Sequence, residues 1–522
     1  MGKLLNPGSG GFIEALASKI YVDKTGLLAH TNSLCGTKQK WICFSRPRRF
    51  GKTMAAEMLC AYYSKGCDSR ALFENLRIGQ DPSFERHLNK YNVIFLNMQS
   101  FLSQTHEARS LVERVSNDIE DALRKAFGDE LPKGNVVNAL IESQTKSGTP
   151  FVFVIDEWDC VFREQKSDTG GHKAYLDFLR LLLKDQEYVQ LAYMTGILPI
   201  KKYGTHSALN MFTEHSMASP LLLAEFVGFT EPEARALCDS FDMSFEEARE
   251  WYDGYSFKNE KHVYNPLSMV SAMINKEFNN YWNVTETLDA LRIYIDMNFD
   301  GLKDAIVDML GQGSRRVSIA RFQNDMSTFT SADDVLTLLV HLGYLRYDSA
   351  SQEVSIPNKE IREEFKNAVE GSGWPGVAEA LTESRSLLAA TWAKNESFIA
   401  EAIGRVHNNS ASILKYNDEN SLACTVLLAY YSAADFYFTF RELASGKGFI
   451  DILFLPKPRH LGKSALLIEL KWDKSAVGAI SQIKDKNYPE KVSEYTGNIL
   501  MIGVNYDTKS KKHDCVIEEL AL

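Results

Sequence analysis

The chain lacks the features that would place it in a membrane or in an oxidising compartment. No apolar run approaches the ~20 residues that span a bilayer, and the first residues do not form a signal-peptide pattern. The 8 cysteines are scattered without a C-x-x-C pair, which argues against a zinc ribbon and against a disulfide framework. We therefore expect a cytoplasmic protein with no membrane partner, whose thiols are mostly small buried side chains.

An excess of positive charge is also missing. The 522 residues include 58 Lys and Arg against 68 Asp and Glu, which gives a net charge of −10. A protein that binds nucleic acid along a broad face is usually basic, so this balance argues against a large non-specific footprint but not against a local basic groove. The chain length predicts about three or four domains.

Apolar strand candidates alternate with helical segments up to residue 228, which predicts an α/β domain with a mostly parallel sheet at 1–228. After Thr230-Glu-Pro-Glu233, a strong helix start, the region 229–395 is mainly helical. A short hairpin there, at 342–345 and 354–357, is compatible with a winged helix that either reads DNA or acts only as a lid. Helices and strands alternate again at 396–522, which predicts a second α/β domain. The strand candidates are 41–45, 93–97, 151–155, 191–195, 450–455, 465–469 and 498–502.

A phosphate-binding loop is predicted between the first strand candidate and the helix that follows it. Such a loop needs inward-facing backbone N–H groups, a lysine for the β/γ-phosphates and a hydroxyl for Mg²⁺. The match to G-x-x-x-x-G-K-[ST] is imperfect, because an arginine occupies the first glycine position and the next residue, a proline, has no N–H. The loop residues that we expect to bind nucleotide are Arg46, Pro47, Arg48, Arg49, Phe50, Gly51, Lys52 and Thr53.

Two adjacent acids support the nucleotide site. Asp156 and Glu157 end an apolar strand, and sites in open α/β sheets lie at the carboxyl ends of strands. Asp156, with Thr53, would hold Mg²⁺, and Glu157 would polarise the attacking water as a catalytic residue. Thr195, at the end of the next strand candidate, would sense the γ-phosphate or serve as an ordinary strand cap.

A second set of charged residues lies on apolar strands near the C-terminus. Asp451 is in one strand candidate, and Glu469 and Lys471 share one face of another. Two carboxylates and a lysine suit metal-dependent phosphodiester cleavage: Asp451 and Glu469 would bind Mg²⁺ or Mn²⁺, and Lys471 would act on the water or the phosphate. Glu442 is a further candidate metal ligand, and Gln482 could face the site. A structural ion pair is the alternative for Glu469 and Lys471.

The whole pattern resembles the AAA-ATPase-like family fused to a PD-(D/E)xK nuclease. The most specific string is Arg46-Pro-Arg-Arg-Phe-Gly-Lys-Thr53, in a family where the first glycine is commonly replaced. The resemblance implies a P-loop ATPase of the additional-strand class and a C-terminal restriction-endonuclease-like domain. In that class one strand lies between the loop strand and the Asp-Glu strand, a role that 93–97 fits. The other strings are Tyr21-Val-Asp-Lys-Thr25, Thr195-Gly196, Phe226-Val-Gly-Phe-Thr230, Trp251-Tyr-Asp-Gly-Tyr255, Tyr264-Asn-Pro266, Arg441-Glu-Leu-Ala-Ser-Gly-Lys-Gly-Phe-Ile-Asp451 and Ile468-Glu-Leu-Lys471.

Two functions therefore compete. The first is an ATP-binding and ATP-hydrolysing, Mg²⁺-dependent nuclease in which nucleotide state controls cleavage. Its partners would be ATP and nucleic acid, with DNA favoured over RNA and homo-oligomerisation left open. The second is an ATP-dependent conformational switch whose nuclease-like domain only binds a partner.

Overall fold

A computed structural model describes residues 4–200, 209–219, 223–257, 260–282, 288–297, 299–323, 326, 328–410, 419–445, 448–486 and 498–521. The chain divides into two compact units, Met1–Tyr281 with Val317–Lys359, and Trp282–Arg316 with Glu360–Leu522. Within the described ranges, no helix has both the length and the apolar character needed to cross a membrane. The predicted domain boundaries at 228 and 395 stay predictions.

The strands are β1 Trp41–Ser45, β2 Asn92–Asn97, β3 Phe151–Asp156, β4 Val189–Gly196, β5 Thr213–His215, β6 Phe229–Thr230, β7 Val263–Tyr264, β8 Arg315–Arg316, β9 Arg346–Asp348, β10 Glu353–Ser355, β11 Tyr437–Ser445, β12 Gly448–Pro456, β13 Ala465–Trp472, β14 Asn498–Asp507 and β15 Lys512–Ala521.

The helices are α1 Gly10–Leu16, α2 Gly26–Leu34, α3 Lys52–Tyr63, α4 Arg70–Phe73, α5 Phe84–His87, α6 Met98–Thr105, α7 Ala108–Phe127, α8 Val136–Ser147, α9 Cys160–Glu164, α10 Thr169–Leu183, α11 Glu231–Ser240, α12 Phe245–Tyr252, α13 Pro266–Asn275, α14 Leu288–Ile295, α15 Leu302–Leu310, α16 Ala332–Leu342, α17 Lys359–Glu370, α18 Pro375–Trp392, α19 Glu396–Ser410, α20 Glu419–Ala429 and α21 Ala476–Asp485.

The first unit is built on a parallel sheet with the strand order β2-β3-β4-β1-β5. Every residue of β1 and of β3 is buried. Helices on both faces of a parallel sheet explain why these strands are continuous apolar runs instead of alternating ones. The predicted parallel α/β domain is confirmed.

One strand does separate the loop strand β1 from the Asp-Glu strand β3, but the assignment of 93–97 to that place was wrong. The separating strand is β4, while β2 pairs with the other side of β3. Order along the chain does not fix order across the sheet, because each crossover helix can carry the chain past an existing strand. The strand β5 was not predicted, since its sequence, Thr-Glu-His, is short and polar.

The helix start at Thr230 is confirmed. Its hydroxyl and the Glu233 carboxylate form a capping box at the beginning of α11, and a proline lies in the first turn. The predicted hairpin after a helix is also present: α16 precedes the antiparallel pair β9 and β10. The strand β9 begins just after the first predicted segment, 342–345, and β10 overlaps the second, 354–357.

The second unit contains a mixed sheet with the order β11-β12-β13-β14-β15, in which only β13 and β14 run parallel among the described pairs. The helix α21 packs on this sheet, and its Ile480 and Ile483 join an apolar cluster with Leu453 and Leu467. The three strand candidates of the C-terminal region lie within β12, β13 and β14. The predicted second α/β domain is therefore confirmed.

Candidate active sites

The loop between β1 and α3 has an unusual backbone. Arg49 and Gly51 adopt φ values of 68° and 90°, in the left-handed region. A Cβ at Gly51 would meet no atom within 4 Å, so glycine is favoured there by the backbone conformation and not by crowding. The helix α3 then begins at Lys52, and its first N–H groups, which have no partners within the helix, form a natural anion site.

Lys52 is buried at the start of this helix. Its Nζ donates a hydrogen bond to the Pro47 carbonyl at 2.8 Å, so the side chain folds back over the loop. Burial lowers the pKa of Lys52, while the nearby carboxylates of Glu157, Asp159 and Asp156 act in the opposite direction. The amine therefore lies among acids and loop carbonyls, where a phosphate could replace the Pro47 contact.

Asp156 joins three of the predicted residues. Its Oδ2 accepts a hydrogen bond from the Thr53 hydroxyl at 2.9 Å, and its Oδ1 accepts from the Thr195 hydroxyl and from the Glu157 N–H at 3.1 Å. The carboxylate is fully buried, whereas Thr53 is exposed. A hydroxyl beside a carboxylate is a hard oxygen donor set of the kind that Mg²⁺ prefers. Thr53 and Asp156 therefore fit a metal ion bound together with nucleotide phosphates.

Glu157 is part of an ion-pair cluster at the end of β3. It has a φ of 54°, and its carboxylate forms an ion pair with Arg163 of α9. Arg163 also lies 3.2 Å from the Asp159 carboxylate, which accepts the N–H groups of Ile197 and Leu198 at 3.0 and 2.8 Å. Burial raises the pKa of Glu157, and Arg163 and Lys52 oppose that effect. The net effect is a raised pKa, and the Glu157 side chain is held by the Arg163 guanidinium.

Sequence reasoning missed Asp159 and Arg163. The signal was available, because Asp159 follows Asp156 at a spacing of three residues and Arg163 lies four residues further on a helix. Neither spacing is rare, however, and only the fold shows that Asp159 links the end of β3 to the backbone after β4.

Arg46 is the member of the loop whose placement differs most from expectation. Its guanidinium is fully buried between the rings of Phe44 and Phe257, at 4.8 and 5.0 Å from their centroids. Nη1 donates to the Ser45 and His215 carbonyls, and burial lowers the pKa to about 9. Nε and Nη2 are buried without a hydrogen-bond partner in the described part of the chain, so these contacts satisfy only one nitrogen of the guanidinium. A role for Arg46 in nucleotide binding stays a prediction.

The remaining loop residues differ in exposure. Pro47 and Phe50 are buried, and the Phe50 ring packs edge-on against Tyr255 with centroids 5.4 Å apart. Arg48 is exposed and Arg49 is half-buried. Their predicted contacts with phosphate stay predictions.

The second site lies where β12 and β13 separate. The antiparallel ladder ends at the pair Ile452 and Ile468, and the next residues on the two strands are Asp451 and Glu469. Beyond that point the Asp451 Oδ2 accepts the Leu470 N–H at 2.7 Å, in place of a main-chain partner. The structure therefore brings the two predicted carboxylates to neighbouring strands.

Lys471 and Gln482 both contact Glu469. The Lys471 Nζ lies 2.9 Å from the Glu469 Oε1, and the Gln482 side-chain amide donates to the same oxygen. The other oxygen, Oε2, is buried and has no hydrogen-bond partner in the described part of the chain. Burial, and next the Asp451 charge, raises the pKa of Glu469 to about 7, although Lys471 opposes this. An orphaned oxygen in a crowded pair of carboxylates fits a divalent cation, which would satisfy both.

The protein supplies only part of a coordination shell here. Among the described residues, no three His, Cys, Asp or Glu side chains are grouped closely enough to hold a metal ion. Glu442 occupies the register position opposite Asp451, between the pairs Arg441↔Ile452 and Leu443↔Ile450, but its side chain lies outside the described residues. Water and substrate phosphate would complete the shell, as they commonly do for Mg²⁺.

Close packing holds α21 and its Gln482 over the site. Gly503 of β14 lies beside Glu469 in the parallel ladder. A Cβ at Gly503 would come within 2.2 Å of the Ala476 carbonyl oxygen, so only glycine lets the helix approach the sheet this closely. The sequence gives one weak signal, a glycine within an apolar strand.

Comparison with known proteins gives two family matches, one over each region described above. A family model described as AAA-ATPase-like, predicted AAA-ATPase, matches residues 15–205, and a model of the PD-(D/E)XK nuclease superfamily matches residues 417–515. A search of curated proteins found no match. The loop at Lys52 and the acids at Asp156 fall within the first match, and Asp451, Glu469 and Lys471 fall within the second. The chain therefore combines a predicted AAA-ATPase-like domain with a C-terminal domain of the PD-(D/E)XK nuclease superfamily.

Proposed function

We propose that this protein binds and hydrolyses ATP, cleaves nucleic acid with Mg²⁺ or Mn²⁺, and uses its nucleotide state to control cleavage. The observation that carries the cleavage proposal is the buried Glu469 Oε2, which has no described partner and lies in the field of Asp451. A structural ion pair alone would leave that oxygen unsatisfied, at a cost of about 1–3 kcal/mol.

In cleavage, Asp451 and Glu469 would hold the cation, whose charge would neutralise the phosphate and lower the pKa of a bound water. Lys471 would orient that water or stabilise the charge that develops on the phosphate, and its Nζ, which lies 2.9 Å from Glu469 Oε1, supports this proposal. Gln482 would fix the Glu469 carboxylate so that Oε2 faces the cation. Asp451 is half-buried, so part of this residue remains accessible to solvent.

In ATP hydrolysis, Lys52 would exchange the Pro47 carbonyl for the β/γ-phosphates, and Thr53 with Asp156 would hold Mg²⁺. Thr195 and Glu157 lie at the strand ends where the attacking water would be oriented. Because Glu157 is paired with Arg163 in this structure, hydrolysis requires that the ion pair open or that the water reach its other oxygen.

The first experiment measures cleavage of single-stranded DNA, double-stranded DNA and RNA, with Mg²⁺ or Mn²⁺ and with or without ATP. The proteins are the parent, Lys52→Ala, Asp451→Ala, Lys471→Ala and the exposed control Lys474→Ala. We expect Asp451→Ala and Lys471→Ala to abolish cleavage and retain ATP binding, and Lys52→Ala to abolish ATP binding and the response of cleavage to ATP. Cleavage that persists in Asp451→Ala would refute the proposed site.

The second candidate, a nucleotide-dependent switch that does not cut, is favoured by one observation. The Lys471 Nζ lies 2.9 Å from the Glu469 Oε1, an ion pair that a purely structural role in a non-cutting domain would also give. Metal binding separates the two functions. If the protein is a nuclease, Mg²⁺ should stabilise the folded chain, and the Glu469→Gln variant should lose that stabilisation. A switch that does not cut should show no such effect.

A further inference from the structure

Exposed aromatic rings line the outer edge of the C-terminal sheet. Phe438 and Phe440 of β11 are 51% and 39% exposed, and Phe449 of β12 is 60% exposed. The strand β11 is the edge strand of this sheet. Native proteins usually protect edge strands from unwanted pairing with charged residues or proline. Exposed phenylalanines at an edge therefore indicate a binding surface. We call these three residues the aromatic row.

The register places the aromatic row on the same face as the candidate metal site. Phe440 pairs with Leu453, which lies two residues from Asp451, and Phe449 lies two residues from Asp451 on its other side. Paired residues share a face, and so do residues two apart on a strand. The spacing from Asp451 to either phenylalanine is roughly 7 Å between Cβ atoms, which is close to the distance between successive nucleotides in an extended strand.

Positive charge lies at the far end of the same row. The Lys457 Nζ is 6.0 Å from the centroid of the Phe438 ring. This amine also donates to the Ala434 carbonyl at 2.6 Å, and Arg459 follows two residues later, with no acid between. In a chain of net charge −10, this local basic segment is suited to phosphate groups.

Together these features are those of a single-strand binding surface. Such surfaces combine cations that follow the backbone with aromatic rings on which unpaired bases stack. A duplex cannot use the rings, because its bases are already stacked within the helix. A purely apolar protein partner would use the rings but not the cations beyond Phe438, whereas a single strand uses both.

We propose that the nuclease-like domain takes single-stranded nucleic acid, with bases stacked on Phe438 and Phe440 and the scissile phosphate carried to Asp451 and Glu469. This substrate class rests on the proposed nuclease function. Phe449 lies beyond Asp451, where it contacts the nucleotide on the other side of the cut. Lys457, with Arg459, binds the phosphates that enter the row.

The test measures binding to the full chain by fluorescence anisotropy in Mg²⁺, with Lys471→Ala as the background so that the probe is not cut. The probes are a labelled homothymidine oligonucleotide, its duplex with homoadenine, and an abasic oligonucleotide of the same length and charge. The variants are Phe438→Ala, Phe440→Ala, the double variant, and Phe440→Tyr to keep a ring. Leu181→Ala, which alters a residue of α10 that is 60% exposed, is the matched control.

We expect each alanine variant to bind homothymidine about tenfold more weakly, in keeping with the range measured for loss of one stacked base. Phe440→Tyr should bind like the background protein, and so should the control. The abasic probe should bind weakly to the background protein and lose little further affinity in the double variant, since it has no bases to stack. The same double variant in the otherwise parental chain should cut single strands more slowly, with cleavage per bound complex little changed.

Two results would overturn the substrate assignment while leaving the proposed function intact. In the first, the parental chain cuts nucleic acid, and the double variant binds and cuts single strands equally well. The other is a double variant with unchanged affinity but a smaller assembly in sedimentation, which would assign the aromatic row to contact between copies of the chain. A parental chain that neither binds nor cuts any of the probes would refute the proposed function as well.

Discussion

Metal binding at the C-terminal site should depend on pH in a way that the carboxylate pair determines. Burial and the Asp451 charge raise the pKa of Glu469 from its ordinary 4.5 to about 7. Below that pH the folded protein holds a proton on Glu469, and a divalent cation must displace it. Metal binding should therefore weaken as the pH falls and become independent of pH above the raised pKa.

The magnitude follows from this competition. Each pH unit below the raised pKa should weaken binding about tenfold, so affinity at pH 5.5 should be about 30-fold lower than on the plateau. About one proton should be released for each metal bound near pH 6, and almost none at pH 8.

Isothermal titration with Mn²⁺ measures the change in affinity with pH. Repeating it in buffers of different ionisation enthalpy gives the number of protons released. The Asp156→Asn variant, without nucleotide, removes the carboxylate of the competing metal site, and Glu469→Gln is the comparison. The reasoning is refuted if affinity stays constant between about pH 5.5 and 8, or if Glu469→Gln binds Mn²⁺ with the same pH dependence. In metal-free protein the sign is opposite for stability: the free energy of unfolding should fall as the pH rises from the ordinary to the raised pKa, by up to about 3 kcal/mol.

Two further predictions concern the packing around the two sites, and a third concerns a buried pair of histidines. Gly503→Ala should force α21 away from the sheet, lower the free energy of unfolding by about 2 kcal/mol or more, and slow cleavage at least about tenfold, measured by thermal unfolding and nuclease assay. Thr195→Val should remove a hydrogen bond to the buried Asp156 carboxylate, which costs about 2 kcal/mol of stability and slows ATP hydrolysis. Unchanged ATPase activity would contradict its assignment. His407 and His513 pack 3.3 Å apart, and burial lowers the pKa of each to about 4. Because the folded state keeps both neutral, the free energy of unfolding should fall by about 2–4 kcal/mol from pH 7 to 5, and a His407→Leu, His513→Leu double variant should lose this dependence.

Much of the fold could be predicted because several of its strands are continuous apolar runs in the sequence. The runs at β1 and β3 are buried on both faces, so their sequences are apolar throughout and end abruptly at functional residues. The order of the strands could not be predicted from the same signal. The strand β2 is as apolar as β4, and only the path of the crossover helices puts β4 beside the loop strand.

The candidate sites were predictable where a residue type and its strand position agreed. Glu469 and Lys471 at a two-residue spacing are an example, since any regular strand puts them on one face. Arg46 shows the limit, because its place in the loop string says nothing about a guanidinium packed between two phenylalanine rings. Asp159 shows another limit, since it accepts the N–H groups of Ile197 and Leu198, which are distant in sequence.

The central claim is that Asp451 and Glu469 hold one divalent cation. It is tested most directly by an anomalous difference map from crystals of the full chain soaked in Mn²⁺. The account predicts a peak within about 2.5 Å of an Asp451 oxygen and of the Glu469 Oε2, and its loss in Glu469→Gln crystals. A map with no peak between these carboxylates, from a protein that still cleaves nucleic acid in Mn²⁺, would contradict it.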